Sequence, residues 1–239
     1  MLHTQPSQDI ESRVEFGYEE LGGFMSAMTG DEKHSLAATS TLDVIWTLYD
    51  RVMNVDRDNP RNPDRDRFYL SKGHGPIAYY AVLTAKGFLE PTDLAGFGSY
   101  NSILGHHPDR LLVPGVEISS GSLGHGLPLA VGAAIGIGIA ERMGRVFCLV
   151  GDGELDEGSN HEAIAVAGRL GLSRLTVVVI DNNSSILGWP GGIARRFEVE
   201  GWTAATVDGR NHDDIERELT GHRSGSPHVV VADVGAHRD

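Results

Sequence analysis

The sequence predicts an α/β fold, a doubly wound and mostly parallel sheet flanked by helices. Two short apolar runs, 145–150 and 175–180, have strand length, and the second is β-branched throughout its centre, the type buried on both faces. The segment between them, 157–170, has helix length, and strand, helix and strand in that order make a parallel βαβ unit. The alternation continues with a helix near 193–200, a strand near 203–207, a helix near 213–220 and a strand near 228–233.

The earlier elements follow from local signals. Residues 1–8 are expected to form a loose tail, and 9–239 a single domain of a size that buries a substantial core. Ile10, Val14, Leu21, Met25 and Met28 recur at helical spacing. A second helix is predicted over 40–53, capped by Ser40 or Thr41, with Val44, Ile45, Leu48 and Val52 inward. A polar, proline-bearing loop then leads to a short strand at Phe68, Tyr69 and Leu70, and Pro76 suits the first turn of a helix reaching Lys86. Residues 98–126 are rich in Gly, Ser, His and Pro, and so long a loop is expected to be functional. The Gly/Ala-rich helix over 127–143 has no charged residue in its first fourteen positions and is predicted to be buried all round.

Composition narrows the function. A formal net charge of −13 repels nucleic acid and anionic membranes at long range, so neither is an expected partner. An anionic cofactor remains compatible, because a metal or a helix N-terminus binds phosphate locally. The single cysteine, Cys148, lies in an apolar run and reads as a core residue. The polar N-terminus has no signal-peptide core and the longest apolar stretch is too short for a bilayer, so a cytoplasmic protein is expected.

Ligands of open parallel sheets sit at the carboxyl ends of the strands. The strand ending at Val150 runs into Gly151-Asp152-Gly153, and the next, ending at Ile180, runs into Asp181-Asn182-Asn183. Asp152 and Asn182, thirty positions apart in sequence, should therefore be neighbours in space. A carboxylate and an amide oxygen make a hard-oxygen site suited to Mg²⁺ or Ca²⁺, which would take further oxygens from a phosphate. The flanking glycines let backbone approach that phosphate, and the helix beginning near Ser159 is expected to add N–H donors. Gly-Asp-Gly alone is an ordinary turn; the asparagine pair after the adjacent strand is what makes it a site.

Gly-Asp-Gly followed about thirty residues later by Asn-Asn resembles the diphosphate-binding signature of thiamine diphosphate enzymes. Within that class, Gly151-Asp-Gly-Glu-Leu-Asp-Glu-Gly-Ser-Asn-His-Glu162 resembles transketolases in particular. So do Arg67-Phe-Tyr-Leu-Ser-Lys-Gly-His-Gly75 and Gly115-Val-Glu-Ile-Ser-Ser-Gly-Ser-Leu-Gly-His-Gly126, and the likeness spans roughly 10–235. The resemblance implies thiamine diphosphate and Mg²⁺ as cofactors, with Ca²⁺ or Mn²⁺ as substitutes. It places the metal on Asp152, Asn182 and the backbone of Ser184, the diphosphate against Gly121, Gly151 and Gly153, and Leu123 on the aminopyrimidine. Glu154 and His74 join the cofactor-binding set, and His74, His107 and His34 match histidines that face cofactor and sugar. The flanks of His34, Lys33-His-Ser-Leu-Ala, lack the family's Gly and Pro. Glu157 matches a glutamate that couples paired active sites.

The same resemblance implies ketol transfer from a sugar or sugar-phosphate donor to an aldehyde. The glutamate that contacts the aminopyrimidine belongs, in the family, to a second domain absent from these 239 residues. The chain is therefore expected to be the first subunit of a split transketolase, paired with a separate pyrimidine-binding chain in an α2β2 heterotetramer. Alternatives are half of a deoxyxylulose-phosphate synthase or 2-oxoacid dehydrogenase relative, against which the run from Arg67 to His74 argues, and a non-catalytic protein retaining the fold.

Overall fold

A computed structural model describes residues 16–28, 39–73, 76–221 and 225–235; the expected tail 1–8 lies outside them. Five strands form one sheet in the order β1-β2-β3-β5-β4, every pairing parallel. They are β1 (Arg67–Leu70), β2 (Val146–Gly151), β3 (Leu175–Asp181), β4 (Thr203–Asp208) and β5 (His228–Asp233). The helices are α1 (Leu21–Ala27), α2 (Leu42–Thr47), α3 (Ile77–Ala85), α4 (Gly126–Ile139), α5 (Gly158–Arg169), α6 (Gly192–Glu198) and α7 (His212–Thr220).

Period-two alternation along the strands builds two cores. Phe68, Leu70, Phe147, Leu149, Val178, Ile180 and Val230 face one side, where α1, α2, α3 and α7 cover them. Tyr69, Val146, Cys148, Val150, Val177, Val179 and Val229 face the other, under α4, α5 and α6. Both faces are buried, which is why β3 and β5 read as unbroken apolar runs. Cys148 is a fully buried core thiol, and burial pushes its pKa up, away from nucleophile chemistry.

Three expectations need correction. Neither Ser40 nor Thr41 caps α2 through its side chain; the Ser40 hydroxyl accepts from the Lys72 ammonium at 3.0 Å instead. The second helix also loosens into a π turn over Leu48–Val52 rather than continuing as α-helix. Helix α4 is not buried all round: Leu129 is 53 % and Ile139 79 % exposed, and Gly132 and Gly136 on the same side open to space. A helix apolar on every side can bury its outer face only against another molecule. No helix among the described residues is long and apolar enough to cross a membrane.

Candidate functional site

The carboxyl ends of β2 and β3 are hydrogen-bonded neighbours, with Gly151 beside Ile180. The chain leaves β2 into Asp152 and a 3-10 turn over Gly153–Asp156, and leaves β3 into a loop in which Asn183 takes a left-handed φ of 59°. That reversal folds the loop back over the aspartate. Asp152, only 2 % exposed, accepts from the N–H groups of Ser184 at 2.6 Å and Ser185 at 2.9 Å and from the Ser184 hydroxyl at 2.5 Å. The two loops therefore meet as the strand register requires. The Oδ1 of Asn182 is buried without a hydrogen-bond partner among the described residues, a state that costs about 1–3 kcal/mol if nothing fills it. A Cβ added at Gly153 would sit 3.5 Å from the Ser184 carbonyl oxygen, so glycine keeps that carbonyl approachable. Carboxylate, orphaned amide oxygen and carbonyl form an all-oxygen donor set that fits a hard divalent cation completed by phosphate oxygens. Among the described residues there is no cluster of three His, Cys, Asp or Glu to rival it.

A second junction lies beside it. Glu154 is buried and accepts from the Ser71 hydroxyl, from Gly124 N–H at 2.9 Å and from Gly151 N–H at 3.3 Å. Ser71 in turn accepts from Gly126 N–H at 3.0 Å. Burial holds the Glu154 carboxyl above the usual carboxylate range, although these donors pull it down. Glu154 thus ties the end of β1, the end of β2 and the glycine-rich loop together, with both oxygens already engaged by protein.

That loop packs by the absence of side chains. Gly121 has a φ of 147°, and a Cβ there would stand 3.0 Å from the His107 ring. A Cβ at Gly73 would stand 2.7 Å from Gly121 nitrogen. Gly73, Gly121 and His107 therefore meet, with His107 exposed and Leu123 half-buried. Helix α5 begins beyond the 3-10 turn, and the Ser159 hydroxyl donates to the Gly124 carbonyl at 2.7 Å. The first turn of α5 thus braces the loop, with the 3-10 turn between it and Asp152. His34 and His74 lie outside the described residues.

Three residues to which the sequence assigns no role converge here. Lys72 is buried at the end of β1; burial lowers its pKa while the fields of Asp152 and Glu154 raise it. Its identity stood inside the Ser-Lys-Gly-His-Gly motif, but its direction did not. Ser71 is the hub described above. Arg196 of α6 is buried, donates to the Leu155 carbonyl and, at 2.7 Å, to His161 Nε2, and stacks 5.1 Å from the Trp189 ring. It braces the 3-10 turn and the 184–189 loop from behind. Burial first and the Arg196 charge second lower the His161 pKa, keeping the ring a neutral acceptor. His212 is likewise structural, bonded to Asp43 at 2.9 Å.

The family profile described as transketolase, thiamine diphosphate binding domain, matches residues 26–229. One of the subunits of apulose-4-phosphate transketolase from Actinobacillus succinogenes is 34 % identical over 206 residues, 83 % of this chain and 75 % of that protein. A protein named Ferredoxin fas2 from Rhodococcoides fascians is 54 % identical over 222 residues, 92 % of this chain and 73 % of that one. Its name does not carry over, since one buried cysteine cannot supply the thiolates of a four-cysteine iron–sulfur cluster. Among solved structures, transketolase from Leishmania mexicana superposes with a TM-score of 0.73 at 26 % identity, over 92 % of this chain and 37 % of its own. The chain thus spans just over a third of that transketolase's length.

Proposed function

The chain belongs to the transketolase family through its thiamine diphosphate binding domain, and on that premise we propose that it binds the cofactor's diphosphate through a divalent cation at the Asp152–Asn182 junction. Joined to a second polypeptide, it would move a two-carbon ketol unit from a sugar or sugar-phosphate donor to an aldehyde. The orphaned Asn182 Oδ1, held in the loop that wraps the buried Asp152, is the observation that carries this reading.

Asp152, Asn182 and the Ser184 carbonyl would hold the cation, Mg²⁺ foremost, with Ca²⁺ or Mn²⁺ as substitutes. Gly121, Gly151 and Gly153 leave room for the diphosphate, Glu154 keeps their loops in register, and Leu123 offers an apolar contact to the pyrimidine ring. When bound, thiamine diphosphate supplies the electron sink that lets a carbon–carbon bond beside a carbonyl break. His107, exposed at the rim against Gly121, is placed to move protons to and from sugar hydroxyls at neutral pH, a role that His34 and His74 share. Residues 9–239 would act as one domain, in the cytoplasm.

Two features support a companion chain. The apulose-4-phosphate relative is itself named as one subunit of its enzyme. Apolar surface is open on α4 and at Ile186, 94 % exposed, and Leu187, both just beyond the cation loop. An α2β2 assembly covers such surfaces twice by symmetry. The test is to purify this chain with and without its companion and assay ketol transfer. Activity is expected only in the complex, and His107→Ala in that complex should fold normally yet lose turnover by about a hundredfold. Full activity of this chain alone, or wild-type turnover in the variant, refutes the reading.

A further inference from the structure

We propose that the cavity beneath the amino end of β1 is a second binding site, for a small organic anion with a ring-sized apolar body. It stands independently of the reading given above, because it lies at the end of the sheet opposite Asp152 and Asn182.

The cavity measures about 400 Å³, within the size range of small-molecule sites. Its floor is aromatic and aliphatic: Tyr49, Phe68 and Phe88 meet edge to face, with Met53, Val113 and Val116 beside them. The Tyr49 hydroxyl is already engaged with that of Tyr79 at 2.9 Å, so the floor offers a ligand little polarity.

The ionic groups around it are unevenly matched. Glu117 holds the Arg65 guanidinium in a bidentate pair at 2.6 and 2.8 Å. Asp66 is held by Arg145 at 2.6 Å and by the N–H groups of Asn54 and Arg145. Asp56 turns an oxygen to Asp58 N–H at 2.9 Å. Three carboxylates and three guanidiniums line the cavity, but Asp66 is held by Arg145 from outside it, so two of the lining guanidiniums, Arg61 and Arg110, have no ion pair or side-chain hydrogen bond among the described residues. A third such arginine, Arg57, sits on the same loop with its Nη1 buried and unpartnered, against Gly87 and next to the lining Phe88. In a chain of net charge −13, unpaired arginines gathered at one cavity are out of balance with the rest of the surface.

Arg61 and Arg110 both stand on ordered backbone. Arg110 N–H donates to Ser119 Oγ at 3.1 Å, and Val113 N–H closes a turn onto the Asp109 carbonyl at 2.9 Å. Arg61 lies in the turn closed by Asn62 N–H on the Asn59 carbonyl at 3.0 Å. A planar guanidinium reads carboxylate, phosphate or sulfonate oxygens in pairs, and an apolar body would displace water from the aromatic floor.

The test is fluorescence titration with 1-anilinonaphthalene-8-sulfonate, an anion on an apolar ring system. Saturable binding is expected, weakened about tenfold or more for each arginine lost in Arg61→Ala and Arg110→Ala, with the unfolding midpoint unchanged. Its neutral analogue N-phenyl-1-naphthylamine should bind at least about tenfold more weakly than the sulfonate. Leu129→Ser, which alters the apolar face of α4, should leave sulfonate affinity as it is. Wild-type affinity in the double arginine variant, equal affinity for the neutral probe, or a loss confined to Leu129→Ser would overturn the proposal.

Discussion

At the amino edge of the sheet, carboxylates are satisfied and guanidiniums are left over; at the carboxyl edge the surplus is reversed. Asp66 and Glu117 each hold an arginine, while Arg61 and Arg110 hold nothing among the described residues. At the other edge Asp152 accepts from N–H and hydroxyl groups of the loop after β3, and Asn182 Oδ1 has no donor among the described residues. Asp181, Asp233 and Asp208 end three adjacent strands in register there. Both edges are built on the same parallel strands, so fold alone does not decide what each recognises. Unpaired groups do: a fully matched ion pair holds structure, and an unmatched buried oxygen awaits a ligand.

The comparison breaks first at its matched member. Asp66 is buried and accepts from two backbone N–H groups and the Arg145 side chain, so Asp66→Ala should cost about 3 kcal/mol in urea unfolding. A loss under about 1 kcal/mol would show that the pair is ornamental.

A somewhat smaller effect, with a pH signature, is expected at Asp43. It is buried against Tyr18 OH at 2.6 Å, Arg210 at 2.8 Å and His212 at 2.9 Å. Burial raises its pKa, but the three donors outweigh that and the net shift is downward. A depressed folded-state pKa contributes stability that is present above the unfolded value, about 3.9, and lost as pH falls through the folded one. Asp43→Asn should therefore lose about 2 kcal/mol at pH 7 and show a shallower acid limb below about pH 4. Parallel pH profiles for variant and wild type would contradict the assignment.

The smallest structural effect is expected at Gly121. An alanine there meets both a φ of 147° and the His107 ring, for about 1–2 kcal/mol and a displaced histidine. A crystal structure of Gly121→Ala with His107 unmoved would show that the loop yields more easily than the geometry implies.

Much of this was legible in the sequence, and the remainder has identifiable causes. The strands from Val146, Leu175 and His228 were legible as short apolar runs of strand length alternating with helices, the mark of a parallel sheet buried on both faces. Asp152 and Asn182 followed, since strand ends of a βαβ unit share an edge. The open face of α4 did not, because an all-apolar helix reads the same whether its cover is its own core or another chain. Nor did Ser71 and Lys72: their directions depend on β1 pairing with β2 so that Leu70 stands beside Leu149. Nor did Arg196, because only the packing of α6 turns it inward.

The central claim is that the Asp152–Asn182 junction is a cation site for a diphosphate, and calorimetric titration of thiamine diphosphate into the complex with its companion chain, with and without Mg²⁺, tests it most directly. Binding should require Mg²⁺, and Asp152→Ala and Asn182→Ala should each weaken it by about a hundredfold or more. Metal-independent binding, or unchanged affinity in both variants, would contradict the account.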